Sequence, residues 1–149
     1  MDEVAVLRAV HVAAAVLLLG NVTVTGFWAA YLYRRRATVP FRQVARAILW
    51  SDLAFTLGGG TALVVSGILL VRARGLHWGE EGWLRQGVGA LALSTSAWLL
   101  VLLPDQLRME RRAAVDEAKL RRVFVRWSVV GWLATVALYA GLWVMVTRP

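Results

Sequence analysis

The chain has 149 residues, the length of one domain, of which 59% are hydrophobic and 17% charged, with mean hydropathy +0.61. A soluble domain carries roughly 45–50% apolar and about 25% charged residues, so disorder is excluded and an ordinary soluble enzyme disfavoured. There is no cysteine, which excludes disulfides, Cys-based zinc sites, iron–sulfur clusters and a thiol nucleophile, and the net charge of +8 has to be read from where the charges sit.

Four stretches contain no Asp, Glu, Lys or Arg. They lie between Arg8 and Arg34, Asp52 and Arg72, Arg85 and Asp105, and Arg126 and Arg148, with lengths of 25, 19, 19 and 21 residues. About 18 apolar residues suffice to cross a bilayer core as a helix, and none of the stretches shows the alternation of a barrel strand. The whole chain therefore reads as one all-α integral membrane domain, residues 1–149. Its four helices are expected at about 5–33, 48–71, 85–104 and 124–147.

The first span opens with Asp2 and Glu3 and lacks a small-residue cleavage site, so it does not read as a signal peptide. It holds His11. At 100° per residue His11, Ala15, Leu18, Val22, Thr25 and Ala29 form one stripe, flanked by Ala14 and Asn21. A histidine in a span usually faces a bundle interior or an aqueous cavity. Three roles fit it: a hydrogen-bonded residue near the interface, a ligand to haem iron, or a proton relay.

The first loop is basic, with Arg34, Arg35, Arg36, Arg42 and Arg46. Asp52 opens the second span. Thr56, Gly60, Leu63 and Gly67 follow it along one stripe. Asp52 reads as a helix cap or as a partner for an arginine or a polar substrate. Gly58-Gly59-Gly60 is no phosphate loop, since neither a lysine nor a strand accompanies it. Gly60 and Gly67 are expected to allow close helix approach.

The second loop contains His77 beside Trp78. Trp78 and Trp83 read as an aromatic belt. His11 and His77 belong to one side of the membrane, and two imidazoles there suit a bis-histidine iron site. Ser94, Thr95 and Ser96 in span three read as modest polar contacts between helices.

The third loop carries Arg108, Arg111, Arg112, Lys119, Arg121, Arg122 and Arg126. It has no Gly, and no Pro after Pro104, so spans three and four should continue as helices beyond the bilayer. Glu117 precedes Arg121 by four residues, which supports a helix there. Span four places Gly131, Thr135, Leu138, Leu142 and Met145 on one stripe. Met145 is a second candidate iron ligand and otherwise a packing residue.

The first and third loops hold 12 of the 17 basic residues. Basic residues accumulate on the cytoplasmic side. The expected arrangement is an antiparallel four-helix transmembrane bundle with both termini outside. The loop charges account for the excess, so the partner is the lipid bilayer and not nucleic acid.

Some of these residues also resemble a known family. His11 with Ala13-Ala14-Ala15-Val16-Leu17-Leu18-Leu19-Gly20-Asn21 is similar to the opening of a bacterial four-span membrane family of unknown function. Asp52 and Thr56 with the glycines after them, Pro104-Asp105-Gln106, and the closing Val144-Met145-Val146-Thr147-Arg148-Pro149 extend the likeness. That family looks distantly related to HemJ-type protoporphyrinogen oxidases and to the CopD copper-resistance membrane domain. The resemblance implies haem b held by a histidine of the first helix, and His11 matches that position. It further implies a tryptophan and a lysine near the start of the third helix. Trp83 matches the first, while Arg85-Gln86-Gly87-Val88-Gly89 holds no lysine. The expectation is a haem b-binding protein of the bacterial cytoplasmic membrane with a redox or electron-transfer role. His11 would be one ligand, and His77 or Met145 the other. Two other functions stay open. One is an accessory subunit of a larger membrane complex. The other is a small-molecule or metal transporter, which would work as a homo-oligomer.

Overall fold

A computed structural model of the chain describes residues 2–112 and 116–147. Residues 113–115 of the third loop and the closing residues 148–149 lie outside the described residues. Four helices are long and apolar enough to cross a membrane: α1 (Glu3–Arg34), α2 (Phe41–Ala73), α3 (Gly82–Arg111) and α4 (Glu117–Thr147). Among the described residues there is no strand. The all-helical bundle expected from the charge-free stretches is what forms.

Local chemistry sets several helix ends. Asp2 caps α1 by accepting a hydrogen bond from the Val4 N–H at 3.1 Å, which satisfies one of the free amides of the first turn. Gly75 stops α2. Its φ of +62° is a left-handed conformation that a residue without Cβ adopts freely. The Gly75 N–H bonds the Arg72 carbonyl, and the Leu76 N–H reaches Val71, the paired bonds of a Schellman motif.

Two helices are longer than their charge-free cores. α2 begins at Phe41, not near 48, and α3 runs past Asp105 to Arg111. The extra turns are amphipathic. Phe41, Ala45, Ile48 and Met109 face inward and are buried, while Arg42 and Arg46 stay exposed. Charges that end an apolar stretch do not end a helix when one face still has a partner.

The tightest packing is at this arginine-rich end. Tyr33 of α1 stacks on Phe124 of α4, with centroids 3.8 Å apart, and Phe41 meets both rings edge-on. Towards the other end the bundle divides into two pairs. Gly59 lets α2 approach α1: a Cβ there would lie 3.4 Å from the Leu18 backbone nitrogen and 3.5 Å from the Ala14 carbonyl. Gly141 likewise lets α4 approach Ala90 of α3, and Ser94 donates across that pair to the Ala134 carbonyl at 2.9 Å. Between the pairs, Gly58–Ala73 of α2 and Gly82–Ala97 of α3 have no Cα atoms within 8 Å of each other.

Both inner helices contain a π-helical stretch, at Asp52–Leu57 in α2 and Trp98–Leu102 in α3. The second has a visible cause. Pro104 lacks an N–H, so the Leu100 carbonyl loses its usual partner and the preceding turn widens. In α2 the widened turn precedes the three glycines. One inserted residue rotates the following face by about 100°. Gly59 thus faces α1, whereas Gly60 has nothing within 4 Å of a would-be Cβ. The close approach expected at Gly60 is therefore made by its neighbour. Gly67 keeps the expected role, with the His11 ring 3.1 Å from its would-be Cβ.

The outer surface is apolar. Val16, Phe27, Trp50, Leu100, Leu133 and Trp143 are among many large side chains left exposed, whereas Asp52, Ser66, Ser94, Asp105, Gln106 and Thr135 are buried. Polar groups inside and apolar groups outside suit a lipid surround.

Candidate functional site

Three separated parts of the sequence meet at one carboxyl group. Asp52 stands at the start of the α2 π-helical stretch and is 5% exposed. Asn21 of α1 donates from Nδ2 to Asp52 Oδ1 at 2.8 Å. Thr56, one turn further along α2, donates to the same oxygen at 3.2 Å and accepts from Asn21 at 3.0 Å. Gln106 of α3 donates to Asp52 Oδ2. Ser51 completes the group by donating to Asn21 Oδ1 at 2.5 Å. Every donor is neutral. The Trp98 indole lies beside Asp52 without closing a hydrogen bond of good geometry.

A second carboxyl group lies next in sequence to Gln106. Asp105 is completely buried and is held by Arg126 of α4, which bonds both of its oxygens, and by Arg108 at 2.7 Å. The two acids have opposite surroundings. Asp105 is matched by two guanidinium groups, and Asp52 by none.

Asp52 also lines a cavity of about 310 Å³ enclosed by all four helices. Val22 and Thr25 of α1 form one side, and Leu57, Gly60 and Val64 of α2 the next. Ser94 and Trp98 of α3 and Trp127, Ser128 and Thr135 of α4 complete it. The volume falls at the lower end of the usual range for small-molecule sites, and the mostly apolar lining with a few polar groups is typical of them. Leu57, Val64 and Val65 line the cavity yet are about half exposed. The space therefore opens sideways through the gap between α2 and α3. Trp127 Nε1 and Ser128 Oγ are enclosed at its edge without hydrogen-bond partners.

The stripe expected on α1 does face inward: Leu18 and Ala29 are buried and His11, Ala15, Val22 and Thr25 half-buried. His11 itself lies away from the cavity, against α2. Its Nδ1 is 3.0 Å from Ser66 Oγ. Ser66 Oγ also lies 2.6 Å from the Ala62 carbonyl; in the tautomer that lets Ser66 donate there, His11 carries its proton on Nδ1 and donates to Ser66. That leaves the lone pair on Nε2.

The other candidate ligands lie elsewhere. His77 is exposed in the turn between α2 and α3. Met145 packs over Gly87 of α3. Trp83 donates to Glu81. α1 and α4 run antiparallel, with Thr23 Oγ1 3.1 Å from Tyr139 Oη. At 1.5 Å per residue, His11 stands about 18 Å from that level toward the end of the bundle that holds the termini, and Met145 about 9 Å. Axial ligands of one iron share a level, so this arrangement does not pair His11 with Met145. Among the described residues no imidazole or thioether lines the cavity itself. The residues present thus supply one imidazole but do not assemble a two-ligand haem site. Among the described residues no three His, Asp or Glu side chains gather as a metal site.

Of the residues singled out from sequence, Asn21 and Asp52 are brought together, while His11, His77, Met145 and Trp83 are dispersed. Gln106 and Asp105 were missed as buried groups because they follow the charge-free stretch, where a helix was expected to continue beyond the bilayer into water. The resemblance had included both, in Pro104-Asp105-Gln106, and that was the available signal.

A four-helix integral membrane protein with a carboxyl-bearing cavity between its helices is the class these features define. The chain belongs to the family described as "Predicted integral membrane protein (DUF2269)", which matches it over residues 5–149. No curated protein and no solved structure matches it significantly.

Proposed function

We propose that this protein binds a lipid-soluble small molecule in the cavity beside Asp52, the ligand entering from the bilayer between α2 and α3. Of the functions left open by the sequence, this is the small-molecule transporter class. One observation carries it: a cavity of about 310 Å³ with a buried carboxyl group in its wall and a lateral opening at membrane depth. Ionisable side chains inside spans are rare and tend to mark substrate pathways. The π-helical stretches at Asp52 and Trp98 fit the same reading, since such bulges recur at functional sites.

The chain has no cysteine of its own, so a single introduced thiol reports cleanly. Gly60→Cys places the thiol in open space at the cavity wall, and Gly59→Cys places it against α1. In nanodiscs, N-ethylmaleimide should label the first and spare the second. A bulky lipid-soluble probe, methyltriphenylphosphonium or triphenylphosphine oxide, should slow labelling of Gly60→Cys. If neither probe protects this thiol, the cavity is not a binding site.

A second reading has one observation in its favour. The Nδ1–H of His11 is fixed by Ser66, and a histidine that ligates a metal is commonly oriented through its other ring nitrogen in this way. Haem b held by His11 alone, as the resemblance implies, would use that imidazole and bring redox chemistry to the outer part of α1. Protein reconstituted with haem should then show a Soret band that His11→Ala removes. A colourless protein would end this reading and leave the cavity reading untouched.

A further inference from the structure

We propose that the cavity selects a lipophilic organic cation, a bulky ammonium or phosphonium centre on an apolar or aromatic body. This rests on the binding role proposed above and adds the chemistry of the ligand.

Among the described residues Asp52 is the only ionisable side chain lining the cavity, and no basic residue lines it. Among the described residues no Lys, Arg or His forms an ion pair with Asp52. Arginines are available nearby, yet the fold directs Arg126 and Arg108 to Asp105. The donors that reach Asp52 are an asparagine, a threonine and a glutamine. They fix the orientation of the carboxylate and occupy three of its roughly four acceptor positions. They contribute no positive charge. A carboxylate in a low-dielectric interior is costly unless a cation balances it. The missing countercharge is what the ligand would bring.

The walls supply the rest of the match. Trp98, Trp127 and Trp132 all line the cavity. Indole rings attract cations through their negative faces, and aromatic enclosures are a recurring device for quaternary ammonium groups. A small, strongly hydrated ion such as sodium would have to shed its water to enter an apolar cavity whose single carboxyl group already accepts three hydrogen bonds. A delocalised cation surrounded by hydrocarbon needs few hydrogen bonds. It partitions into the bilayer, from which the α2–α3 gap gives entry. An anionic ligand would meet Asp52 with like charge.

A neutral molecule bearing an oxygen acceptor is the competing occupant, because the Trp127 N–H and the Ser128 hydroxyl lack partners. One pair of probes separates the two. Methyltriphenylphosphonium is a cation, and triphenylphosphine oxide has nearly the same body, no net charge and a strong acceptor. Binding of each to the purified native chain would be measured by equilibrium dialysis, alongside protection of Gly60→Cys. The cation should bind at least tenfold more tightly than the oxide, and Asp52→Asn should lose most of that preference. Equal or tighter binding of the oxide overturns the cation proposal while the binding role stands. Failure of both probes removes the binding role as well. Undiminished cation binding by Asp52→Asn also overturns the proposal. If that variant does not fold, the two probes on the native chain decide alone.

Discussion

The Asn21 side-chain amide donates to Asp52 Oδ1 at 2.8 Å, joining α1 to α2 across 31 residues of sequence. The same amide donates to Thr56, and its carbonyl accepts from Ser51. Asn21 thus satisfies three polar groups where water is scarce. Asn21→Leu should cost roughly 1–3 kcal/mol, the usual penalty for leaving buried polar groups unpaired. Thermal unfolding in detergent measures it. An unchanged Tm would mean that the network contributes nothing to the association of α1 with α2.

Asp105 makes a different kind of contact. It is fully buried, while Arg108 and Arg126 are each about half exposed. The carboxylate is the member that depends on the others, because either arginine can stand alone in contact with water. Asp105→Leu leaves the arginines solvated, whereas Arg108→Ala and Arg126→Ala each leave a buried acid with one remaining partner. Removing both arginines together should therefore lower Tm more than the single losses added, which a double-mutant cycle would show. Simple additivity would indicate that water replaces the guanidinium groups at Asp105.

The charge distribution carries an expectation about orientation that a labelling experiment checks. Basic loops stay on the cytoplasmic side, which assigns residues 34–46 to that side and the 74–81 turn to the other. Thr38 and Gly79 are both exposed, so single cysteines there should differ only in sidedness. In intact cells an impermeant thiol reagent should label Gly79→Cys and spare Thr38→Cys. The reverse pattern would invert the protein in its membrane.

The number and type of helices could be read from four charge-free stretches, because bilayer thickness imposes a length that composition reveals. The inward face of α1 was legible from small and polar residues at helical spacing. Two things were not. The start of α2 hid behind Arg42 and Arg46, since charge content marks the edge of the apolar core and not the edge of the helix, whereas the run of α3 past Asp105 and the start of α4 at Glu117 follow the expectation from a loop with little Gly or Pro. The site hid because its members come from α1, α2 and α3, and no spacing rule relates Asn21 to Gln106. His11 was conspicuous as a lone imidazole, and the structure sets it beside Ser66 of α2, away from the cavity that Asp52 lines. Asp52 read as a helix cap only because its position at the start of an apolar stretch concealed that the helix begins at Phe41.

The glycines after Asp52 show how one widened turn redirects a face. A uniform α-helix carries Asp52, Thr56, Gly60, Leu63 and Gly67 on one stripe. The π-helical stretch at Asp52–Leu57 adds a residue and turns the following face back by about 100°, so Gly60 lies with Asp52 on the cavity wall, while Gly59, which a uniform helix would put on the Asp52 stripe, packs against α1. A leucine at each position separates the two geometries. At Gly59 any Cβ meets the Leu18 nitrogen and the Ala14 carbonyl within 3.5 Å, and these are backbone atoms that cannot rotate away. Gly59→Leu should therefore force α1 and α2 apart, at roughly 1–3 kcal/mol or more by the usual range for overpacking. At Gly60 the added side chain enters the cavity and meets nothing near its Cβ. Gly60→Leu should leave Tm within a degree or two of the native chain and yet abolish probe binding, since it fills the space that the ligand would occupy. If Gly60→Leu proves the more destabilising of the two, Gly60 and not Gly59 packs against a neighbouring helix, and the cavity lies on a different face from the one described.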